Sequence, residues 1–120
     1  MKPLFDTNIL IDYLNGIPQA RSELALYPDK FISIVTWMEI QVGTEAAEQS
    51  AVDQFLLGFT VLPLDTQVSI QAVALRKSTR IKLPDAVIWT TAQCHKLLLI
   101  TRNSKDFLAT GQGVRVPYVL

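Results

Sequence analysis

The stretch LFDTNILIDYL, residues 4–14, decides the fold class because its hydrophobic pattern changes at a single acidic residue. Together with Pro3, the apolar residues before Asp6 form a short segment typical of a buried strand. The apolar residues after Asp6 recur at helical spacing, and Gly16 ends that pattern. The stretch therefore predicts a strand, a turn that carries an acid, and a helix.

The same succession of strand and helix continues to the end of the chain. Strands alternating with helices predict an α/β domain of three layers, α/β/α, with a mostly parallel central sheet. The chain of 120 residues has no repeat or linker, so residues 1–120 are expected to form a single domain. Further strands are predicted at 31–35, 60–62, 97–101 and 114–119, and further helices at 18–27, 36–43, 48–57, 66–78 and from Pro84 onward, with a short helical turn near Lys105.

The composition indicates a protein with an interface. Hydrophobic residues make up 49% of the chain and the mean hydropathy is +0.26, which is high for a small soluble domain. A homodimer, a tightly bound partner, or both would use this surplus. No apolar run approaches the roughly 20 residues that span a bilayer, so no membrane association is expected. The single Cys94 cannot form an internal disulfide and favours a cytoplasmic location.

The net charge is zero, but the basic residues are unevenly distributed. The segment 76–105 holds seven basic residues and only one acid, Asp85. Such a segment could bind phosphates, or it could be an ordinary solvated helix face, and the sequence alone leaves both interpretations open. The basic residues are Arg76, Lys77, Arg80, Lys82, Lys96, Arg102 and Lys105.

Four acids stand near the ends of predicted strands or the starts of predicted helices, and each has an ordinary structural explanation. Asp6 could cap the helix that follows it. Thr36-Trp37-Met38-Glu39 matches a capping box, in which Glu39 would accept a hydrogen bond from the backbone amide of Thr36. Asp85 and Asp106 could each stabilise the positive end of a helix or helical turn.

Taken together, the four acids favour a metal site. The carboxyl ends of parallel strands share one edge of the sheet, so these carboxylates would lie close together and raise one another's pKa values. A divalent cation would neutralise them, and an all-oxygen set suits Mg²⁺ or Mn²⁺. The chain has one histidine and one cysteine, adjacent in sequence, so a tetrahedral zinc site is not available.

Four segments in order, LFDTNILIDYL, TWMEIQVG, RIKLPDAVIWTTAQ and LLLITRNSKDF, resemble the successive acidic motifs of PIN-domain nucleases, in particular VapC-type toxins of toxin–antitoxin systems. The resemblance spans nearly the whole chain. It implies a metal-dependent endoribonuclease whose bound Mg²⁺ or Mn²⁺ activates a water molecule against an RNA phosphodiester. The implied catalytic metal ligands are Asp6, Glu39, Asp85 and Asp106, and the implied supporting residues are Thr7, Asn8 and Asn103.

The resemblance also implies partners. It suggests a homodimer that binds a cognate antitoxin, whose apolar segment would lie in a groove beside the acids. Trp37 and the helices between Ile9 and Tyr27 are the candidates for that groove, because they flank Asp6 and Glu39 in sequence. The candidates for contacts with RNA phosphates are Arg76, Arg80, Lys82, Arg102 and Lys105.

Two other protein classes that place an acid after the first strand need residues that this chain lacks. A phosphatase of the haloacid-dehalogenase type needs a second acid two positions after the first, where this chain has Asn8. A response-regulator receiver needs an acidic pair, whereas Asp6 stands alone in its segment. The alternatives left open are a PIN-type RNA-processing nuclease or 5′-nuclease, and a binding module with inactive acids. Asp12, on the first helix, is expected to be a surface acid, with a supporting role behind a metal ligand or a basic partner as the alternatives.

Overall fold

The computed structural model of this chain describes residues 1–105, Phe107 and residues 113–120. Asp106, the fourth predicted metal ligand, lies outside the described residues. Within the described residues the elements are β1 (Pro3–Phe5), α1 (Thr7–Leu14), α2 (Pro18–Ala25), β2 (Phe31–Ser33), α3 (Ile34–Val42), a 3-10 turn (Ala46–Glu48), α4 (Gln49–Leu56), β3 (Thr60–Leu62), α5 (Thr66–Ser78), α6 (Leu83–Cys94), β4 (Leu98–Ile100) and β5 (Val114–Arg115).

The five described strands form one parallel sheet in the order β3-β2-β1-β4-β5. Strands β2 and β3 lie in succession on one side of β1, and β4 lies on the other side of β1. The strand order therefore reverses between β1 and β4. In parallel α/β sheets a crevice forms beyond the carboxyl ends of the strands at such a reversal, and ligands bind there.

Helices cover both faces of the sheet. Leu4 of β1 and Leu99 of β4 pack into a core with α5 and α6, whereas their neighbours Phe5 and Ile100 pack into a second core with α1 to α4. Alternate residues of a strand point to opposite faces, which is why strands buried on both faces are continuously apolar. The predicted three-layer α/β/α architecture is confirmed.

The boundary between β2 and α3 differs from the prediction. Ser33 ends the strand and caps the helix, because its Oγ accepts a hydrogen bond from the Val35 amide at 3.1 Å. The helix thus begins at Ile34, and Thr36 lies inside it, so the predicted capping box between Thr36 and Glu39 is wrong. Ile34 and Val35 are β-branched and favour a strand locally, but the cap at Ser33 and the packing of the helix override that preference.

The carboxyl-terminal segment also differs. The predicted strand at 114–119 is reduced to Val114–Arg115. Pro117 follows shortly after, and proline cannot donate the backbone hydrogen bond that would extend the pairing. None of the described helices combines the length and the apolar character that crossing a bilayer would require.

Candidate active site

Asp6 lies directly after β1, at the reversal of strand order. Its side chain is almost fully buried, with 4% of the residue exposed. Oδ1 accepts a hydrogen bond from the Thr7 amide at 2.7 Å. Asp6 therefore caps α1, which is one of the two roles predicted for it. Oδ2 accepts from the Thr101 hydroxyl at 2.7 Å and from the Asn8 amide group at 3.3 Å. Residues that follow the two central strands, β1 and β4, therefore hold this carboxylate in place.

The electrostatic environment of Asp6 is unfavourable to its charge. The pKa of Asp6 is raised to about 6, chiefly by burial and in smaller part by the negative charges of Asp85 and Glu39, while the hydrogen bonds from Thr101 and Thr7 lower it. A buried carboxylate with neighbouring like charges is the arrangement that a bound cation would stabilise. The charges of two other predicted ligands, Asp85 and Glu39, thus affect the pKa of Asp6.

Glu39 is exposed on α3 and is held by threonine hydroxyl groups. Its Oε1 accepts a hydrogen bond from the Thr7 hydroxyl at 2.8 Å. The buried Thr36 hydroxyl lies 2.9 Å from the Thr7 hydroxyl. Because the single Thr7 hydroxyl hydrogen points to Glu39, Thr36 must be the donor to Thr7. Thr7 therefore connects the two acids, through its amide to Asp6 and through its hydroxyl to Glu39.

The end of β4 completes the described part of the site. Thr101 is fully buried, and its hydroxyl oxygen accepts a hydrogen bond from the Asn103 amide at 3.0 Å while it donates to Asp6. The Arg102 amide donates to Asn8 Oδ1 at 3.2 Å. Asn8 therefore bridges Asp6 and the end of β4.

Sequence reasoning missed two residues of this site, Thr36 and Thr101. Thr36 was interpreted as a helix cap. Thr101 carried a usable signal, because it is a polar residue directly after a buried strand, at the sheet edge where sites form.

The donor set fits a hard divalent cation. Asp6, Glu39 and Asp85 offer carboxylate oxygens, the ligands that Mg²⁺ and Mn²⁺ prefer. Among the residues that the structure describes, no three acidic, histidine or cysteine side chains are grouped closely enough to hold a metal ion by themselves. The predicted fourth ligand, Asp106, lies outside the described residues.

The PIN domain family model matches residues 4–112, from Leu4 in β1 to beyond the end of β4. This chain belongs to the PIN-domain family. The resemblance drawn from the four sequence segments is confirmed.

Solved structures extend the comparison. This PIN domain is similar to a chain of a toxin–antitoxin complex from Klebsiella pneumoniae, with 42% identity, a TM-score of 0.92, and coverage of 99% of this chain and 100% of that chain. It is similar to a chain of DNA-bound VapBC from Salmonella typhimurium, with 27% identity, a TM-score of 0.77, and coverage of 96% of both chains. It shares its fold with a chain of FitAcB from Neisseria gonorrhoeae, at 23% identity and a TM-score of 0.82, covering 98% and 99% of the two chains. No curated protein sequence matches it.

The basic residues of this PIN domain are concentrated near the third acid. Helices α5 and α6 pack antiparallel, because a short loop joins them and Cys94 near the end of α6 contacts Gln71 in α5. The end of α5 therefore lies beside the start of α6, where Asp85 stands in the first turn. Exposed basic side chains at this junction are Arg76, Lys77, Arg80 and Lys82.

The predicted surface acid of this PIN domain and one predicted RNA-binding residue form a partly buried ion pair, with the Arg102 side chain 34% exposed. Asp12 is 4% exposed, and its carboxylate accepts hydrogen bonds from Arg102 Nε at 2.7 Å and Nη2 at 3.1 Å. The expectation that Asp12 is a surface acid is wrong, because the α1 helix turns it towards the end of β4. Arg102, predicted to contact RNA phosphate, directs two of its donors to Asp12.

Proposed function

We propose that this PIN domain is a divalent-metal-dependent endoribonuclease and the toxin of a toxin–antitoxin pair. The observation that carries the proposal is the buried carboxylate of Asp6, which shares an electrostatic site with Asp85 and Glu39 at the reversal of strand order. PIN domains are in general nucleases that use divalent metal ions. A site of clustered carboxylates on a parallel sheet suits phosphodiester hydrolysis, because it needs no covalent nucleophile.

Each residue of the site has a proposed role. Asp6, Glu39, Asp85 and Asp106 would hold Mg²⁺ or Mn²⁺, which supplies an acidified water and neutralises charge that develops on phosphate oxygens. Thr7 and Thr36 would keep Glu39 oriented, and Thr101 and Asn8 would do the same for Asp6. Asn103, which contacts Thr101 through its backbone amide, keeps its proposed supporting role.

RNA would approach from the junction of α5 and α6. Arg76, Arg80 and Lys82 are exposed there and precede Asp85 in the chain, so they can contact phosphates next to the scissile bond. Lys105 is exposed beyond the end of β4 and is proposed for the same role. Arg102 is the weakest member of the proposed set, since its guanidinium group is engaged by Asp12.

The proposed antitoxin partner rests on the similar structures and on exposed apolar side chains. Structures similar to this chain are toxin–antitoxin complexes. Ile11 and Leu14 of α1 are 45% and 41% exposed, and they line a cavity of about 230 Å³ together with Glu39. An apolar antitoxin segment in this cavity would lie beside the acids and exclude substrate. Trp37, also a groove candidate, lines a different cavity against Leu57.

The proposal also includes a homodimer and a cytoplasmic location. Hydrophobic side chains such as Met38 and Val42 remain exposed on α3, at 46% and 88%. A second copy of the chain could cover them. The lone Cys94 is free, as expected in a reducing compartment.

Cleavage of a labelled single-stranded RNA in Mn²⁺ tests the proposal. Asp6→Asn and Asp85→Asn should each lower the cleavage rate by orders of magnitude, because each removes a ligand charge while keeping the shape of the side chain. Asp29→Asn is the matched control, since Asp29 is exposed and pairs with Lys2 at the opposite edge of the sheet. Cleavage by Asp6→Asn at the wild-type rate would contradict the proposal. RNA binding without cleavage by the wild type would favour a non-catalytic binding module.

A further inference from the structure

The carboxylate of Asp12 is buried and has no role in the proposed mechanism. Its two oxygens accept three hydrogen bonds: from Arg102 Nε and Nη2, and from the Tyr118 hydroxyl at 2.8 Å. All three donors come from residues beyond β4, far from Asp12 in sequence. This bidentate geometry is the strongest form of a carboxylate–arginine contact. The ion pair therefore fixes the end of β4 against α1.

The backbone of Arg102 is joined to the residues that hold Asp6. Thr101, immediately before it, donates its hydroxyl hydrogen to Asp6 Oδ2. The Arg102 amide donates to Asn8 Oδ1, and the side-chain amide group of Asn8 also donates to Asp6 Oδ2. Both contacts on Oδ2 thus depend on where the β4 end lies.

We propose that Asp12 and Arg102 are positioning residues for the metal site. Their ion pair sets the end of β4, and Thr101 and Asn8 then orient the Asp6 carboxylate towards the metal. The inference rests on the proposed function, in which Asp6 is a ligand. Residues behind metal ligands commonly change metal affinity 10- to 100-fold when substituted, because they fix ligand orientation. Asp12 itself would touch neither metal nor RNA, since Arg102 and Tyr118 occupy both of its oxygens.

The chain contains a matched control for this ion pair. Glu23 of α2 is 5% exposed and accepts hydrogen bonds from Arg115 Nε at 2.8 Å and Nη2 at 3.0 Å, and from the Tyr27 hydroxyl at 3.1 Å. The chemistry matches that of Asp12, with one buried carboxylate, one bidentate arginine and one tyrosine. Among the described contacts, Arg115 reaches the site through its carbonyl, which accepts a hydrogen bond from the Thr101 amide in the sheet ladder, and Glu23→Gln leaves that backbone bond in place.

The test compares Asp12→Asn with Glu23→Gln. Both replace a buried charge by an amide of the same shape, so both should lower the melting temperature of the metal-free protein. Titration calorimetry with Mn²⁺ separates them. Asp12→Asn should raise the Mn²⁺ dissociation constant by about tenfold or more. Glu23→Gln should leave it unchanged.

Two outcomes would overturn the inference. Wild-type Mn²⁺ affinity in Asp12→Asn would show that the ion pair does not orient Asp6. Equal weakening in Asp12→Asn and Glu23→Gln would show a general loosening of the fold. If Asp12→Asn does not fold, Arg102→Lys replaces it, because lysine keeps the charge but loses the bidentate geometry. That variant should also weaken Mn²⁺ binding, and unchanged binding would overturn the inference.

The same titration separates this inference from the proposed function. A wild-type protein that binds no Mn²⁺ would contradict the proposed function, and the positioning role with it. A wild-type protein that binds Mn²⁺ while Asp12→Asn binds it equally well would contradict the positioning role alone.

Discussion

Asp6 is buried at a site where neighbouring acids favour positive charge. The stability of the metal-free protein therefore depends on pH. Its pKa rises from 3.8 to about 6 on folding, first because of burial. Below pH 3.8 the carboxyl is protonated in the folded and unfolded states, so burial costs no ionisation energy. Between pH 3.8 and about 6 the unfolded chain has released this proton while the folded protein still holds it, so stability falls over this range and is constant above it. The loss is about 3 kcal/mol when fully developed.

Asp6→Asn should remove this pH dependence. In the absence of metal, the variant should gain stability relative to the wild type as the pH rises from about 4 to about 7, by at most about 3 kcal/mol. Urea unfolding in EDTA at several pH values measures the difference, with Asp29→Asn as a control that should show no such trend. A difference between wild type and Asp6→Asn that stays constant with pH would contradict the environment described for Asp6.

Glu39 is a different case, because it is exposed and is not a helix cap. Glu39→Gln keeps an oxygen that can accept the Thr7 hydroxyl but removes the charge. The free energy of unfolding should change by less than about 0.5 kcal/mol, as for most surface substitutions. The rate of RNA cleavage in Mn²⁺ should fall by orders of magnitude. Full activity in Glu39→Gln would exclude Glu39 as a ligand.

At the scale of elements, the start of α3 gives the clearest prediction. Ser33 caps the helix through the Val35 amide. Ser33→Ala should therefore lower the free energy of unfolding by about 1 kcal/mol, and Thr36→Ser, which keeps the hydroxyl bond to Thr7, should cost less. Urea unfolding of the two variants measures both effects. Equal stability of Ser33→Ala and the wild type would mean that the Ser33 side chain does not stabilise the start of the helix.

The helices and strands were predictable from the sequence, because the spacing of the hydrophobic residues and the positions of the turn residues indicate local structure. The boundary after β2 was not, since Ser33 and Thr36 are both suitable caps and Ile34 and Val35 suit a strand. Tertiary packing chooses between them. The layer architecture followed from the alternation of strands and helices.

The site was only partly predictable. Asp6, Glu39 and Asp85 were proposed from their places at strand ends and helix starts and from the family resemblance. Their partners were not, because Thr36 lies 29 residues from Thr7, and Thr101 lies 95 residues from Asp6. Such contacts depend on the order and register of parallel strands, which no local pattern encodes. A basic partner for Asp12 was one of the alternatives, but its identity as Arg102 was not predictable for the same reason.

At the scale of the whole molecule, the two cores do not bury all of the hydrophobic side chains. Ile11, Leu14, Met38 and Val42 remain exposed around α1 and α3. At micromolar concentration the chain of 13.4 kDa should therefore sediment as a dimer, and with a co-expressed antitoxin as a larger complex. A clean monomer that binds no antitoxin would contradict both parts of this prediction.

The metal requirement for RNA cleavage tests the central claim most directly, because the carboxylates of the proposed site have no proposed chemistry without a cation. Wild-type protein and labelled single-stranded RNA are incubated in EDTA, and Mn²⁺ is then added in excess. Cleavage should be absent in EDTA and appear with Mn²⁺, while Asp6→Asn stays inactive in both conditions. Cleavage by the wild type that persists in EDTA would contradict the account.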